Sequence, residues 1–227
     1  MFHVKHSAPR PPTYGAEDFL RDTNVSRETL ARLEAYAALL QTWNKTTNLV
    51  GPATIPDLWF RHMLDSAQLY PFTQSSPSLV DLGSGAGFPG LVLAIMGQPD
   101  VHLVESDQKK VAFLREASRV AGTKVTLHPS RIEAVQGLPG ALITARALAP
   151  VAQLLSLSAK IATPETKFVF LKGQNVEVEL TEAHKIWRME AESHVSRTDS
   201  TGRVVILREV CPHDRSVSGP TSPAKPG

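Results

Sequence analysis

The 227-residue chain has one cysteine, Cys211, so no disulfide framework holds it together. It has no glycine period, which excludes a collagen-like rod. It has little net charge: 24 Lys and Arg against 22 Asp and Glu leave +2. That is far short of a protein that grips nucleic acid by bulk basicity, although it permits a local basic patch. No apolar run approaches the ~20 residues that span a bilayer, and stretches such as Leu91–Met96 are much shorter. The segment Met1–His6 is polar and lacks the apolar heart of a secretory signal, so a cytoplasmic protein is expected. No zinc-ligand spacing, Walker loop or Ser/His/Asp signature occurs, and His3 and His6 alone make a poor metal site. No metal is expected.

Apolar residues make up 42% of the chain, enough for a core and too many for a chain disordered throughout. At about 150 residues per domain, the length suits one large domain with an appendage. Four segments are expected. Residues 1–24 form a mobile leader, broken by the prolines of 7–15, and 25–75 form an N-terminal helical cap. Residues 76–210 form the main domain, and the Pro/Ser/Gly-rich 211–227 a disordered tail. In the cap, Ser26 is a candidate N-cap for a helix reaching Trp43, with Leu30, Leu33, Ala37 and Leu40 on one face. A second helix is expected from Pro56 to Tyr70, ended by Pro71. Trp43 and Trp59 fall in apolar stripes and are read as core. From residue 78 onward, short apolar runs alternate with helical segments. Strands are expected at 79–82, 101–104, 125–127, 141–144 and 167–171, helices at 89–96 and 107–121, and a late hairpin pairs 193–197 with 202–210. Such alternation predicts right-handed crossovers and a doubly wound, mostly parallel α/β sheet.

The sharpest signal is the run from Val80 to Gly90. An apolar strand enters Gly83, Gly85 and Gly87 at alternate positions, and Pro89 opens a helix. Glycines there let a ligand approach the backbone, and in open α/β sheets ligands bind beyond the carboxyl ends of the strands. Gly85, Gly87 and Gly90 also satisfy the dinucleotide spacing, which alone is weak. Glu105, at the end of the next strand, is placed to accept hydrogen bonds from ribose hydroxyls. Both NAD and S-adenosylmethionine carry that ribose. Asp81 tilts the choice, because a carboxylate sits badly beside a pyrophosphate and suits a sulfonium with an α-amino group.

Further blocks are Trp43–Leu49 (WNKTTNL), Arg61–Ser66 (RHMLDS), Glu105–Lys110, Phe113–Arg115, Ser130–Glu133, Thr144–Ala147 and Leu171–Gly173 (LKG). With the glycine run, and in this order over most of 25–210, they resemble the bacterial 16S rRNA guanine-N7 methyltransferases, the glucose-inhibited division protein B family. The resemblance implies a Rossmann-like class I S-adenosylmethionine-dependent methyltransferase with an N-terminal helical addition. It implies that Gly83 and Phe88 touch S-adenosylmethionine, that Ile132 and Glu133 hold the adenine edge, and that Arg146 lies at the mouth shared by cofactor and substrate. It favours 16S rRNA in the small ribosomal subunit over naked RNA as partner. Glu105 stands where the family commonly has aspartate, and Thr144 where serine is common.

The residues can be weighed against the chemistry separately. Methyl transfer needs nucleophile and methyl carbon aligned at near-attack distance. Carbon-5 methylation of a pyrimidine uses a cysteine, and Cys211 borders the tail. Methylation of exocyclic amines uses an Asn/Asp-Pro-Pro-aromatic tetrad, where this chain has Thr144 to Pro150 (TARALAP). Guanine N7 presents a lone pair without a proton and needs neither. Arg146 would orient guanine or phosphate, or else form a structural ion pair. Lys45, Arg61, His62, Lys109, Lys110 and Lys172 form a candidate RNA-gripping rim, each weighed against an ordinary solvated charge. His62 and Asp65 lie one helical turn apart, as a polar pair near the cofactor or a packing device. A methyltransferase with another substrate, an NAD-dependent oxidoreductase and a non-catalytic RNA-binding factor remain as alternatives. Size and charge suggest a monomer.

Overall fold

The computed structural model describes residues 13–213. Helix α1 (Ala16–Thr23) comes first. It corrects the expected leader, of which residues 1–12, with His3 and His6, lie outside the described part. The reason is apolar: Phe19 is fully buried, which stabilises by about 1.5–3 kcal/mol, and its ring meets Trp59 at 5.4 Å. Tyr14 packs edge-on to Phe60 at 5.2 Å.

Helix α2 (Arg27–Trp43) starts where expected, with Thr29 N–H donating to Ser26 Oγ at 3.0 Å. Its buried stripe is Leu30, Leu33, Tyr36, Ala37 and Leu40. Trp43 and Trp59 pack, partly buried, against the same core. The expected helix over 56–70 does not form as one piece. A 3-10 turn (Pro52–Asp57) contains Pro56, a π-helical turn (Trp59–Leu64) follows, then the short α3 (Asp65–Ala67) and another 3-10 turn (Tyr70–Phe72).

The main domain alternates as predicted: β1 (Leu79–Leu82), α4 (Gly90–Ile95), β2 (Val101–Val104), α5 (Gln108–Val120), β3 (Thr126–His128), β4 (Leu142–Arg146), α6 (Val151–Leu157), β5 (Lys167–Lys172), α7 (Val176–His184), β6 (Trp187–Val195) and β7 (Arg203–Pro212). The sheet order is β3-β2-β1-β4-β5-β7-β6, parallel from β3 to β5, with β7 inserted antiparallel between β5 and β6. The hairpin is longer than expected and reaches Pro212, which pairs with Trp187, so the segment expected as tail begins inside the sheet. Residues 214–227 lie outside the described part. Two apolar layers cover the sheet. The cap, α4 and α5 form one; α6 and α7, with Val80 and Leu82 of β1, form the other. Among the described residues no helix is long and apolar enough to cross a membrane, and no cluster of three or more His, Cys, Asp or Glu could hold a metal ion.

Candidate functional site

A cleft of about 1140 Å³ opens at the carboxyl ends of the parallel strands. Its lining includes Gly83, Gly85, Phe88, Arg61, Lys110, Arg146 and Lys172 from the predicted set. Asp81, Gly87, Glu105, Ile132, Glu133, Lys45 and Lys109 do not line it.

The glycine loop is shaped from beneath. Asp81 has no exposed surface, and its carboxylate accepts from Gly90 N–H at 3.2 Å and Thr144 Oγ1–H at 2.8 Å. Burial pushes it up to about 6, against hydrogen bonds that favour the charged form. The structure therefore makes Asp81 a group that fixes the loop, not one that faces a ligand's amino group as expected. Gly90 must be glycine for a steric reason: a Cβ there would sit 2.5 Å from Leu103 Cδ2 and 2.6 Å from Asp81 Cβ. Gly87 has φ +97, and a Cβ would meet Leu91 Cβ at 2.9 Å. Behind it, Tyr36 of the cap donates its hydroxyl hydrogen to Ala86 O.

Glu105 is buried beside the loop. Its Oε2 accepts from Gly85 N–H at 2.9 Å and its Oε1 from Asp107 N–H at 2.8 Å. Asp107 in turn caps α5 by accepting from Lys109 and Lys110 N–H. Ile132 and Glu133 occupy a 3-10 turn (Ile132–Ala134) after β3.

The opposite wall joins three distant segments. Arg146, at the end of β4, places its guanidinium 4.9 Å from the centre of the Phe88 ring. It donates from Nη2 to His62 Nδ1 at 3.0 Å and from Nη1 to Arg61 O and Asp65 Oδ2, both at 3.3 Å. The His62 ring stacks on Phe88, 5.0 Å between centroids. Burial, then Arg146 and Arg61, push His62 down to about 3. It is neutral, accepts at Nδ1 and donates from Nε2 to Thr54 Oγ1 at 2.8 Å. Asp65 Oδ1 accepts from Thr198 Oγ1–H at 2.6 Å and from Gln68 Nε2–H at 2.9 Å. Gln68 Oε1 accepts Arg197 N–H at 2.8 Å, tying in the 196–202 loop between β6 and β7. His62 and Asp65 thus bracket Arg146 and do not pair with each other.

Sequence reasoning missed the 196–202 loop, Thr54, Leu148 and Glu179. The His62–Asp65 spacing was the one visible hint, and nothing local marked the others. Among the expected rim, Lys45 and Lys109 are exposed and Arg61 and Lys110 reach the cleft. Lys172 is a correction. Its side chain is 7% exposed and is held by Glu179 Oε2 at 2.6 Å and Ala149 O at 2.7 Å, so it is not free to meet phosphate. Cys211 lies in β7 opposite Arg188, away from the cleft lining.

The fold is that of the class I S-adenosylmethionine-dependent methyltransferases. It is similar to magnesium protoporphyrin IX methyltransferase from Synechocystis PCC 6803 with bound SAM, at TM-score 0.55 and 11% identity over 88% of this chain and 100% of that one. It is also similar to a TehB-like SAM-dependent methyltransferase from Corynebacterium glutamicum, at TM-score 0.51 and 14% identity over 79% and 98%. The residues present fit that cofactor. A Cβ at Gly85 would meet nothing nearer than Gly83 O at 3.8 Å, so the loop offers bare backbone to the cleft. The family is more specific. Residues 29–206 match the GidB model, rRNA small subunit methyltransferase G, and the chain belongs to that family. Ribosomal RNA small subunit methyltransferase G of Paramagnetospirillum magneticum is 54% identical over 86% of this chain and 96% of its own length. Its counterpart in Rhodospirillum rubrum is 51% identical over 86% and 97%. The protein is an S-adenosylmethionine-dependent methyltransferase.

Proposed function

We propose that the protein methylates N7 of a guanine in 16S rRNA of the small ribosomal subunit, as a cytoplasmic monomer that needs no metal. Family membership supports the rRNA substrate. One observation carries the choice of atom: among the described residues, the half-buried carboxylates and the imidazole on the cleft lining are already held by protein partners. Asp65 holds Arg146, Thr198 and Gln68; Glu179 holds Lys172; and His62 uses both ring nitrogens, while the remaining lining carboxylate, Asp199, is exposed and accepts from Thr201 through Oδ1. Such a cleft suits an acceptor that arrives without a proton to lose. Guanine N7 is that acceptor, and an exocyclic amine is not.

Bound S-adenosylmethionine supplies an electrophilic methyl on its sulfonium. Gly83, Gly85 and Phe88 would hold it from the cleft floor, while Asp81 and Gly87 shape that floor from behind. Glu105 and the Ile132–Glu133 turn would meet its adenosine. Glu105 has lone pairs left after its two backbone bonds, enough for ribose hydroxyls. Arg146, fixed by His62 and Asp65, orients the acceptor, as a guanidinium matches the O6 and N7 edge. Arg61, Lys110, Lys45 and Lys109 meet RNA phosphates.

The experiment mixes the protein with labelled S-adenosylmethionine and unmethylated small subunits, with naked 16S rRNA, tRNA and bulk protein in parallel. Mass spectrometry of digested RNA should show 7-methylguanosine in the small-subunit RNA alone. Label in another nucleoside, or none in RNA, overturns the reading.

A further inference from the structure

We infer that the Lys172–Glu179 pair is a strut that positions the 147–150 loop, and that Leu148 on this loop is the apolar wall against which the acceptor base packs. The inference rests on the guanine reading above and goes beyond it to a specific contact.

The loop follows β4 directly after Arg146. Ala147 has φ +49, a left-handed backbone that a residue with a side chain adopts only when its surroundings hold it there. Lys172, from the end of β5, donates to Ala149 O at 2.7 Å. Its ammonium also contacts Glu179 Oε2 at 2.6 Å, from α7. The same Glu179 oxygen accepts Val151 N–H at 3.1 Å. One ion pair therefore grips the chain on both sides of Pro150, by a carbonyl before it and an amide after it. A phosphate-gripping lysine would keep its ammonium in water, whereas this side chain is 7% exposed.

What the strut holds is Leu148. It is one of the few large apolar side chains left exposed, at 39%, and it lines the cleft. It packs directly on the glycine loop: a Cβ at Gly83 would lie 2.8 Å from Leu148 Cδ1. Its inner side thus roofs Gly83 and its outer side faces open cleft between Arg146 and Pro150. A flat base presents an apolar face and a polar edge. Leu148 answers the face and Arg146 the edge, and both hang from the same turn of chain. Lys172 and Glu179 are positioning residues, and Leu148 is the contact.

The test compares the full-length protein with Leu148→Ala, Lys172→Met, Glu179→Gln and the Lys172→Met/Glu179→Gln pair, on unmethylated small subunits. Thermal melting and S-adenosylhomocysteine binding are read alongside. Each single change is expected to lower kcat about 10- to 100-fold, the scale of a misplaced acceptor. KM for subunits and its salt dependence should stay near those of the unaltered chain. The double change should cost no more than one single change, since either alone removes the strut. A phosphate contact predicts otherwise. Lys172→Met would then raise KM and flatten the logarithmic salt slope by about 0.7–0.9, and Glu179→Gln would tighten RNA binding. That pattern overturns the strut. Leu148→Ala leaves the strut intact and guards against variants that fail to fold; full kcat in this variant sinks the proposal. The unaltered chain separates the two readings. If it methylates no guanine, the function assigned above fails; if it does while all variants keep its kcat, the strut and the Leu148 contact fail and the guanine reading stands.

Discussion

The two walls of the cleft are built on different plans. The glycine-loop wall is local and backbone-made. Gly83 to Gly90 fold over one buried carboxylate, Asp81, and against Glu105, so few side chains decide their shape. The Arg146 wall exists only when residues 54–68, 146 and 196–202 meet, and side-chain bonds among Arg146, His62, Asp65, Gln68 and Thr198 make it. The first wall suits a cofactor that is the same at each turnover. The second joins parts of the chain that approach from different sides, and it is where selection among acceptors can act.

The largest break in that comparison should come from Arg146→Ala. Turnover is expected to fall about 100-fold, because the acceptor loses its guide, while S-adenosylhomocysteine binding, read by calorimetry, falls much less. Equal losses in both would mean that the two walls are not separable. Acid titration gives a smaller, sharper test. Asp81 holds its proton up to about 6 in the folded chain against 3.8 normally, so its contribution to stability is full below pH ~4 and is lost as pH rises to about 6. His62 is held down to about 3 against 6.5, so its contribution is full above pH ~6.5 and is lost as pH falls toward 3. Between pH ~4 and ~6 the two slopes oppose each other. In urea melts across that window, the pH slope of stability should be more positive in Asp81→Asn than in the unaltered chain, and more negative in His62→Gln. Matching slopes in the two variants would contradict the assignment. The smallest effect belongs to Lys109→Ala, on the exposed start of α5. It should change the salt slope of subunit binding by about 0.7–0.9 and leave kcat untouched; a lost kcat would move Lys109 into the site.

The wall that is local in space was also the legible one. The Val80–Gly90 run and Glu105 announced the loop, and α2 announced itself through its cap at Ser26 and its stripe. The Arg146 wall was only half readable. RHMLDS marked His62 and Asp65, yet residues 56–70 looked like one helix. Pro56 withholds an N–H from the first turn, and the π-helical turn at Trp59–Leu64 widens the spiral just where His62 is drawn to Thr54 and Arg146. Such turns gather at functional sites, and periodicity does not reveal them. The role of Asp81 was misread because burial is invisible in a string of letters. Lys172 looked like a surface cation until α7 brought Glu179 alongside it. Tyr14 and Phe19 were swept into the leader by the neighbouring prolines, although their own rings were enough to anchor a helix.

Tyr36 belongs to the added N-terminal region, and its hydroxyl closes the underside of the glycine loop at Ala86. The region is therefore no detachable module. A chimera with a foreign cap on this sheet would leave the Ala86 carbonyl without its donor and would loosen the grip on the methyl source along with any change of target. Truncation to the bare sheet would yield an enzyme with a hole in its floor. A substitution at Tyr36 is therefore felt in the loop 50 residues further along the chain, at Ala86.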